Sequence, residues 1–280
     1  MELFTYTFIQ YAFIGGICMA LVAGLLGPFV VQSRQSIASD MFAHVALAGI
    51  GAAVLFGNSP WWGALPALIS ISTILWWLSI RGNYSPDALA MFFLSGGLAA
   101  ALAFVHMARD SVFSFENYLF GSILTLTTVD IYTIIATTAV VSILTLLFWY
   151  PLLGATSQPR YILPFRRAPQ LVLLMYFWLL ALVVWIGIKT IGGLLIGALL
   201  VIPVLSARAW AQSFCGITII TTLVAVASVL GGLLLALYVD LPPSSLIIGT
   251  LIGIFGLQLA LQKLSIFSRR ARSHNPIPLR

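Results

Sequence analysis

"LVLLMYFWLLALVVWIGIKTIGGLLIGALLVIPVLSAR" occupies residues 171–208, and its only charges are Lys189 and Arg208. About 20 apolar residues suffice to cross a bilayer, so this run is long enough for two crossings. "KTIGG" divides it, because Lys189 and the pair Gly192–Gly193 interrupt a helix there. The rest of the chain reads the same way. Of its 280 residues, 61% are hydrophobic and 7% charged, against roughly 25% charged in a soluble domain. A water-facing globule of this size has no way to hide that much apolar surface. Lipid is the solvent, and the chain is a polytopic integral membrane protein.

Working outward from the double run, nine apolar segments appear: 8–31, 37–57, 61–80, 86–107, 131–153, 171–189, 191–207, 213–238 and 245–265. The stretch "VFSFENYLFGSILTLTTVD" (112–130) is too polar for a span and reads as a half-helix dipping into the protein. The expected fold is an all-α transmembrane bundle of eight or nine spans plus that half-helix. Residues 1–280 form a single membrane domain. The first apolar run continues to span length without a basic lead, so it reads as a span rather than a cleaved signal peptide.

Orientation follows from Lys and Arg. With the C-terminus in the cytoplasm, alternation over nine spans puts eleven basic residues inside and only Arg109 and Lys189 outside. The N-terminus is then outside, in the cell membrane. Topology thus accounts for the net charge of +6, and nucleic acid is not implied. The basic tail "RRARSHNPIPLR" suits contact with anionic lipid. The sequence has no Walker A loop, so any ATP is bound by another chain. Cys18 and Cys215 lie in apolar runs and read as packing residues.

Among seven acidic residues and three histidines, "SIASDMFAHVAL" (36–47) places Asp40 and His44 at i, i+4, on one helix face. One reading is structural: Ser36, Ser39 or Asp40 caps the second helix, and His44 bonds a backbone carbonyl. The other is chemical: an oxygen and an imidazole nitrogen form a transient site for a borderline divalent cation. Asp87 and Asp130 open helices and read first as capping residues. Trp61 and Trp62 read as interfacial anchors, and His106 as a snorkelling side chain. Gly192, Gly193, Gly197 and Ala198 make a slim helix that neighbours can approach closely, and Pro203 kinks it. Asp240 sits in an outer turn stiffened by Pro242 and Pro243.

Five stretches, in order, resemble the membrane permease of metal-ion ABC importers, the family for zinc, manganese and ferrous iron. They are "GLLGPFVVQSRQSIASDMFAHVALAGI", "PDALAMFFLSGGLAAAL", "NYLFGSILTLTTVDI", "KTIGGLLIGALLVIPVLSAR" and "DLPPSSLII". The resemblance covers nearly the whole chain. It implies the type II importer fold, a dimer of permeases, two ATPase subunits that bind ATP, and an extracytoplasmic metal-binding protein. It places Asp40 and His44 on the path of a divalent metal ion, with no cofactor resident in this chain. From the residues themselves, gating by the slim, kinked helix, with Gly192, Gly193 and Pro203 as gate or pathway residues, is compatible with close packing, and an outer-gate or docking role for Asp240 is the alternative to a simple turn. Arg160, Arg166 and Arg167, in the loop 157–170, become the expected ATPase dock. Departures from the family pattern are Val204 after Ile-Pro, Ser244 in the last outer turn, and that short loop itself. A permease for metal chelates or corrinoid-like cofactors is the alternative. The topology sets Asp40 near the cytoplasmic end of its span, unless an unwound stretch carries the helix start into the bilayer.

Overall fold

The computed structural model describes residues 6–81, 84–108, 115–121, 123–157, 167–239 and 241–273. These are helical almost throughout, with no strand among them. In chain order they form α1 (Thr7–Gln32), α2 (Ala38–Leu55), α3 (Pro60–Arg81), α4 (Pro86–Ala108), α5 (Phe115–Phe120), α6 (Thr128–Leu147), α7 (Trp149–Ser157), α8 (Arg167–Thr190), α9 (Gly193–Ala207), α10 (Phe214–Ala236) and α11 (Pro243–Ser273), with a 3₁₀ turn at Ile123–Thr125. Helices satisfy their own backbone polar groups, which lipid would leave unpaired. Eight of the described helices are long and apolar enough to cross a membrane.

α9 corresponds to the seventh apolar segment, 191–207, and it is short. Its 15 residues rise about 22 Å at 1.5 Å each, less than the ~30 Å of a hydrocarbon core. The N-terminal end of α9 is covered by α5, and the 3₁₀ turn packs on α1, so the described part of the stretch read as a half-helix holds six helical residues and a 3₁₀ turn before α6. The segment 131–153 is not continuous either. α6 stops at Leu147 and α7 starts at Trp149. Pro151 is the reason: it has no N–H for the Leu147 carbonyl, and its ring crowds that carbonyl.

Hydrogen bonds sort the helix ends into two sets. At one end, the Tyr11 and Thr128 hydroxyls lie 3.0 Å apart, joining the starts of α1 and α6. At the other, the Gln32 amide donates to Ser157 Oγ, Ser33 Oγ is 3.1 Å from the Tyr176 hydroxyl, and the Trp76 indole donates to the Gln170 carbonyl at 2.6 Å. Those residues belong to the ends of α1, α3 and α7 and the start of α8, as up-and-down alternation requires.

α1 and α8 form the centre, with 67% of each span buried, whereas α4 is peripheral at 11%. Glycines let the backbones touch. A Cβ on Gly27 would stand 2.4 Å from the Leu200 carbonyl oxygen of α9, and one on Gly232 would stand 2.4 Å from Ile247 Cα of α11. Gly49 of α2 and Gly63 of α3 face each other in the same way. Close backbone approach of this kind is how helices gain dispersion contact where lipid competes for apolar surface.

Candidate functional site

The site begins where α1 ends. The Gln35 N–H bonds the Val30 carbonyl, and the Arg34 N–H bonds the Val31 carbonyl. This is the Schellman closure, with Arg34 at φ 57° in the position glycine usually fills. The five residues 33–37 then turn the chain into α2, so a short non-helical stretch does precede Asp40.

The capping reading of the pair does not hold. The N-cap of α2 is Ile37, which offers no side-chain cap. Ser39 Oγ donates back to the Ser36 carbonyl at 3.1 Å. Asp40 sits in the first turn, where its charge suits the helix dipole, but its carboxylate accepts no hydrogen bond from the described residues. One turn on, His44 is half-buried, and its Nδ1 is buried with no hydrogen-bond partner. Most buried polar side-chain atoms in folded proteins are partnered. An acid and an imidazole nitrogen are thus both held on one face without structural employment.

That face lies against α9. A Cβ on Gly197 would stand 2.1 Å from Asp40 Oδ1 and 3.2 Å from Ser39 Oγ, and one on Gly193 would stand 3.4 Å from Ala43 Cβ. The slim side of α9, expected to admit close neighbours, therefore admits this carboxylate in particular. On the α4 side, a Cβ on Gly97 would come within 3.1 Å of the His44 carbonyl carbon. Gly192, at φ 99°, makes the break before α9, and its backbone meshes with that of Gly121 at φ 72°. Only glycine takes such a conformation readily.

The structure thus brings Gly197 to Asp40 and Gly193 to Ala43, with Gly192 at the joint. Pro203 is buried near the far end of α9. Asp240, Arg160 and Arg166 lie outside the described residues, and Arg167 opens α8. Asp87 charges the first turn of α4, while Ser85 Oγ accepts from the Ala88 N–H at 3.3 Å and is the cap. His106 is exposed. Among the described residues, no three or more of His, Cys, Asp and Glu gather as a metal-holding group.

Two features went unread in the sequence. Asp130 does cap α6, in a capping box with Thr127, but it also forms an ion pair with Lys189. The Lys189 ammonium lies 4.9 Å over the Trp61 ring, and Trp61 stacks on Trp185 at 4.7 Å. Trp61 therefore packs inward, and only Trp62 stays 62% exposed as an interfacial anchor would. Gln258 is the second: its amide donates to the Ser206 carbonyl at 2.8 Å, near the end of α9. Both could have been flagged, since a polar group deep in an apolar run calls for a partner.

The described helices thus form a membrane bundle in which a short glycine-faced helix packs against Asp40, one turn from His44. Its fold matches PsaBC of Streptococcus pneumoniae, solved with a Fab, at a TM-score of 0.76 and 22% identity, covering 91% of this chain and 92% of that one. It also matches an inward-facing transporter of the metal-chelate ABC type, at a TM-score of 0.66 and 20% identity over 93% and 90% of the two chains. The chain belongs to the ABC 3 transport family, whose model matches residues 5–262. It is thus a permease and not an enzyme, with ATP hydrolysis in a separate subunit. Among its relatives, the high-affinity zinc uptake membrane protein ZnuB of Buchnera aphidicola is 28% identical over 84% of this chain and 90% of that protein. The manganese transport membrane protein MntC of Halalkalibacterium halodurans is 22% identical over 72% and 69%.

Proposed function

We propose that this chain imports a divalent transition-metal ion, zinc before manganese or ferrous iron, and that Asp40 and His44 are its transient ligands. The observation that carries the reading is the buried, unpartnered Nδ1 of His44 one turn from an unbonded carboxylate. The carboxylate offsets part of the ion's dehydration, and a neutral imidazole favours transition metals over calcium. Two protein ligands hold an ion loosely enough to let it go, whereas structural zinc takes four. Zinc ranks first for its affinity for nitrogen, and the zinc and manganese relatives point the same way.

In this reading the N-terminus is outside and the C-terminus cytoplasmic, and residues 1–280 are one permease domain. The permease works as a homodimer, with ATPase subunits at the cytoplasmic face and a metal-binding protein outside. Gly192, Gly193, Pro203 and Asp240 belong to the gate or pathway, and Arg160, Arg166 and Arg167 to the ATPase dock. A chelate or corrinoid-like cargo would need a wider path and no ligating pair. The likeness to a metal-chelate transporter is one of fold.

The test is uptake of radiolabelled zinc and manganese into proteoliposomes holding permease, ATPase and binding protein. Asp40→Ala and His44→Ala should each abolish it at unchanged protein level. Normal uptake by both variants would falsify the site. Uptake of chelate that free ion does not compete away would replace the cargo.

A further inference from the structure

We propose that the Asp130–Lys189 ion pair is a positioning element for the ion site, acting through the α8–α9 joint to hold Gly197 of α9 against the Asp40 carboxylate. The proposal rests on the reading of Asp40 as an ion ligand.

The pair is well built. Asp130 is 6% exposed. One of its oxygens takes Lys189. The other accepts the Thr127 hydroxyl at 2.7 Å and the Thr127 N–H at 2.9 Å. Lys189 is held from its other side by the Trp61 ring, and the Trp185 indole donates to the Trp61 carbonyl at 3.2 Å. The last turn of α8 is therefore gripped by the first turns of α3 and α6. Charge-assisted bonds of this kind are stronger than neutral ones, and here the carboxylate is buried while the Lys189 side chain stays 31% exposed.

The chain beyond this grip has little play. Thr190 bonds back to the Ile186 and Gly187 carbonyls at 3.2 Å each, and α8 ends. Ile191 and Gly192 make the joint, meshed backbone to backbone with Gly121. α9 then starts at Gly193, where an added Cβ would lie 3.6 Å from the Tyr118 carbonyl oxygen and 3.4 Å from Ala43 Cβ. One turn later comes Gly197, in contact with Asp40. A short helix starting from a glycine joint needs its start fixed by something else. The ion pair, three residues before Gly192, is the charged anchor nearest that joint among the described residues.

The experiment measures the KM for zinc and the maximal zinc-stimulated ATPase rate of the reconstituted complex. The variants are Lys189→Met, Lys189→Arg, Asp130→Asn, and Asp130→Asn with Lys189→Met. A positioning role raises KM about tenfold in Lys189→Met, in Asp130→Asn and in the double variant, while Lys189→Arg restores it and the ATPase maximum holds. Effects of tenfold to a hundredfold are typical for residues that orient metal ligands. Lys189→Met and Gly197→Ala combined should raise KM no more than the stronger alone, since both act through Asp40. A double-neutral variant with wild-type KM overturns the proposal, because the pair then merely removes two lone charges. Additive effects of Lys189→Met and Gly197→Ala overturn it too. Failure of the wild-type complex to respond to zinc, manganese or ferrous iron overturns the proposed metal cargo instead.

Discussion

Gly197→Ala tests the geometry of the ion site without touching either ligand. The added methyl would stand 2.1 Å from Asp40 Oδ1, whereas ordinary van der Waals contact begins at 3.4 Å, so the carboxylate must withdraw by more than an ångström. It can do so, because it is the end of a side chain that no described hydrogen bond restrains, and Ser39 Oγ at 3.2 Å yields only slightly. Leaving its rotamer well costs about 0.5–1.5 kcal/mol. Alanine in place of glycine inside a helix returns roughly 1 kcal/mol, so stability should stay within about 1 kcal/mol of wild type. The loss falls on the ion. A ligand shifted by that distance no longer shares the ion properly with His44, and misplaced ligands typically cost 10–100-fold in metal affinity, or about 1.4–2.8 kcal/mol. The assay is the KM for zinc in proteoliposome uptake, with the melting of the purified complex as control. A rise of that size at unchanged melting is expected. A KM within twofold of wild type refutes the placement of Asp40 against α9, and a collapse in melting refutes the claim that the carboxylate can move aside.

Gly192→Ala should behave in the opposite way. At φ 99° and ψ 150° a side chain costs about 1–3 kcal/mol, and its Cβ would meet backbone, the Phe120 carbonyl carbon at 2.3 Å, which has no room to give. Loss of folded complex in detergent, read by size-exclusion yield and melting, is the expected result. Arg34→Gly should stabilise instead, by up to about 1 kcal/mol, since Arg34 holds the left-handed position of the Schellman closure at φ 57°. A lower melting temperature in this exposed variant would mean that the arginine makes a contact worth more than the strain it carries.

The bundle was legible because apolar runs of span length admit few interpretations in lipid. What the runs did not reveal was where a helix stops. Pro151 splits 131–153 at Phe148, yet a proline inside an apolar run is compatible with a kinked span, and the pattern alone does not choose. α9 is shorter than its run because Ile191 and Gly192 belong to the joint, a matter of backbone conformation at one glycine. The spacing of Asp40 and His44 was plain, but a cap and a ligand carry the same residue types in the same place. The absence of a side-chain cap at the start of α2, visible only in three dimensions, removes the cap and leaves the ligand as the reading we propose. Asp130 and Lys189 are 59 positions apart, and their shared helix end follows from the topology. Their meeting does not: it depends on which first turns crowd round the end of α8.

The pair also carries a prediction that a purely structural residue would not. A buried polar atom without a partner costs about 1–3 kcal/mol, and His44 Nδ1 is such an atom. A carboxylate half out of water without a hydrogen bond adds to that cost. If Asp40 and His44 served the fold, replacing them by alanine would remove useful contacts and lower the melting temperature. If they serve an ion, the apo protein already bears their desolvation, and Asp40→Ala with His44→Ala should melt no lower than wild type in chelator. The difference should appear only on adding metal. Wild type then gains RT ln(1 + [L]/Kd), about 2.7 kcal/mol at a hundredfold excess over Kd, while the double variant gains nothing. Melting of the purified complex with chelator and with zinc or manganese reads both halves. A double variant that melts well below wild type in chelator assigns the pair to the fold, and metal stabilisation that survives the double substitution puts the ion elsewhere.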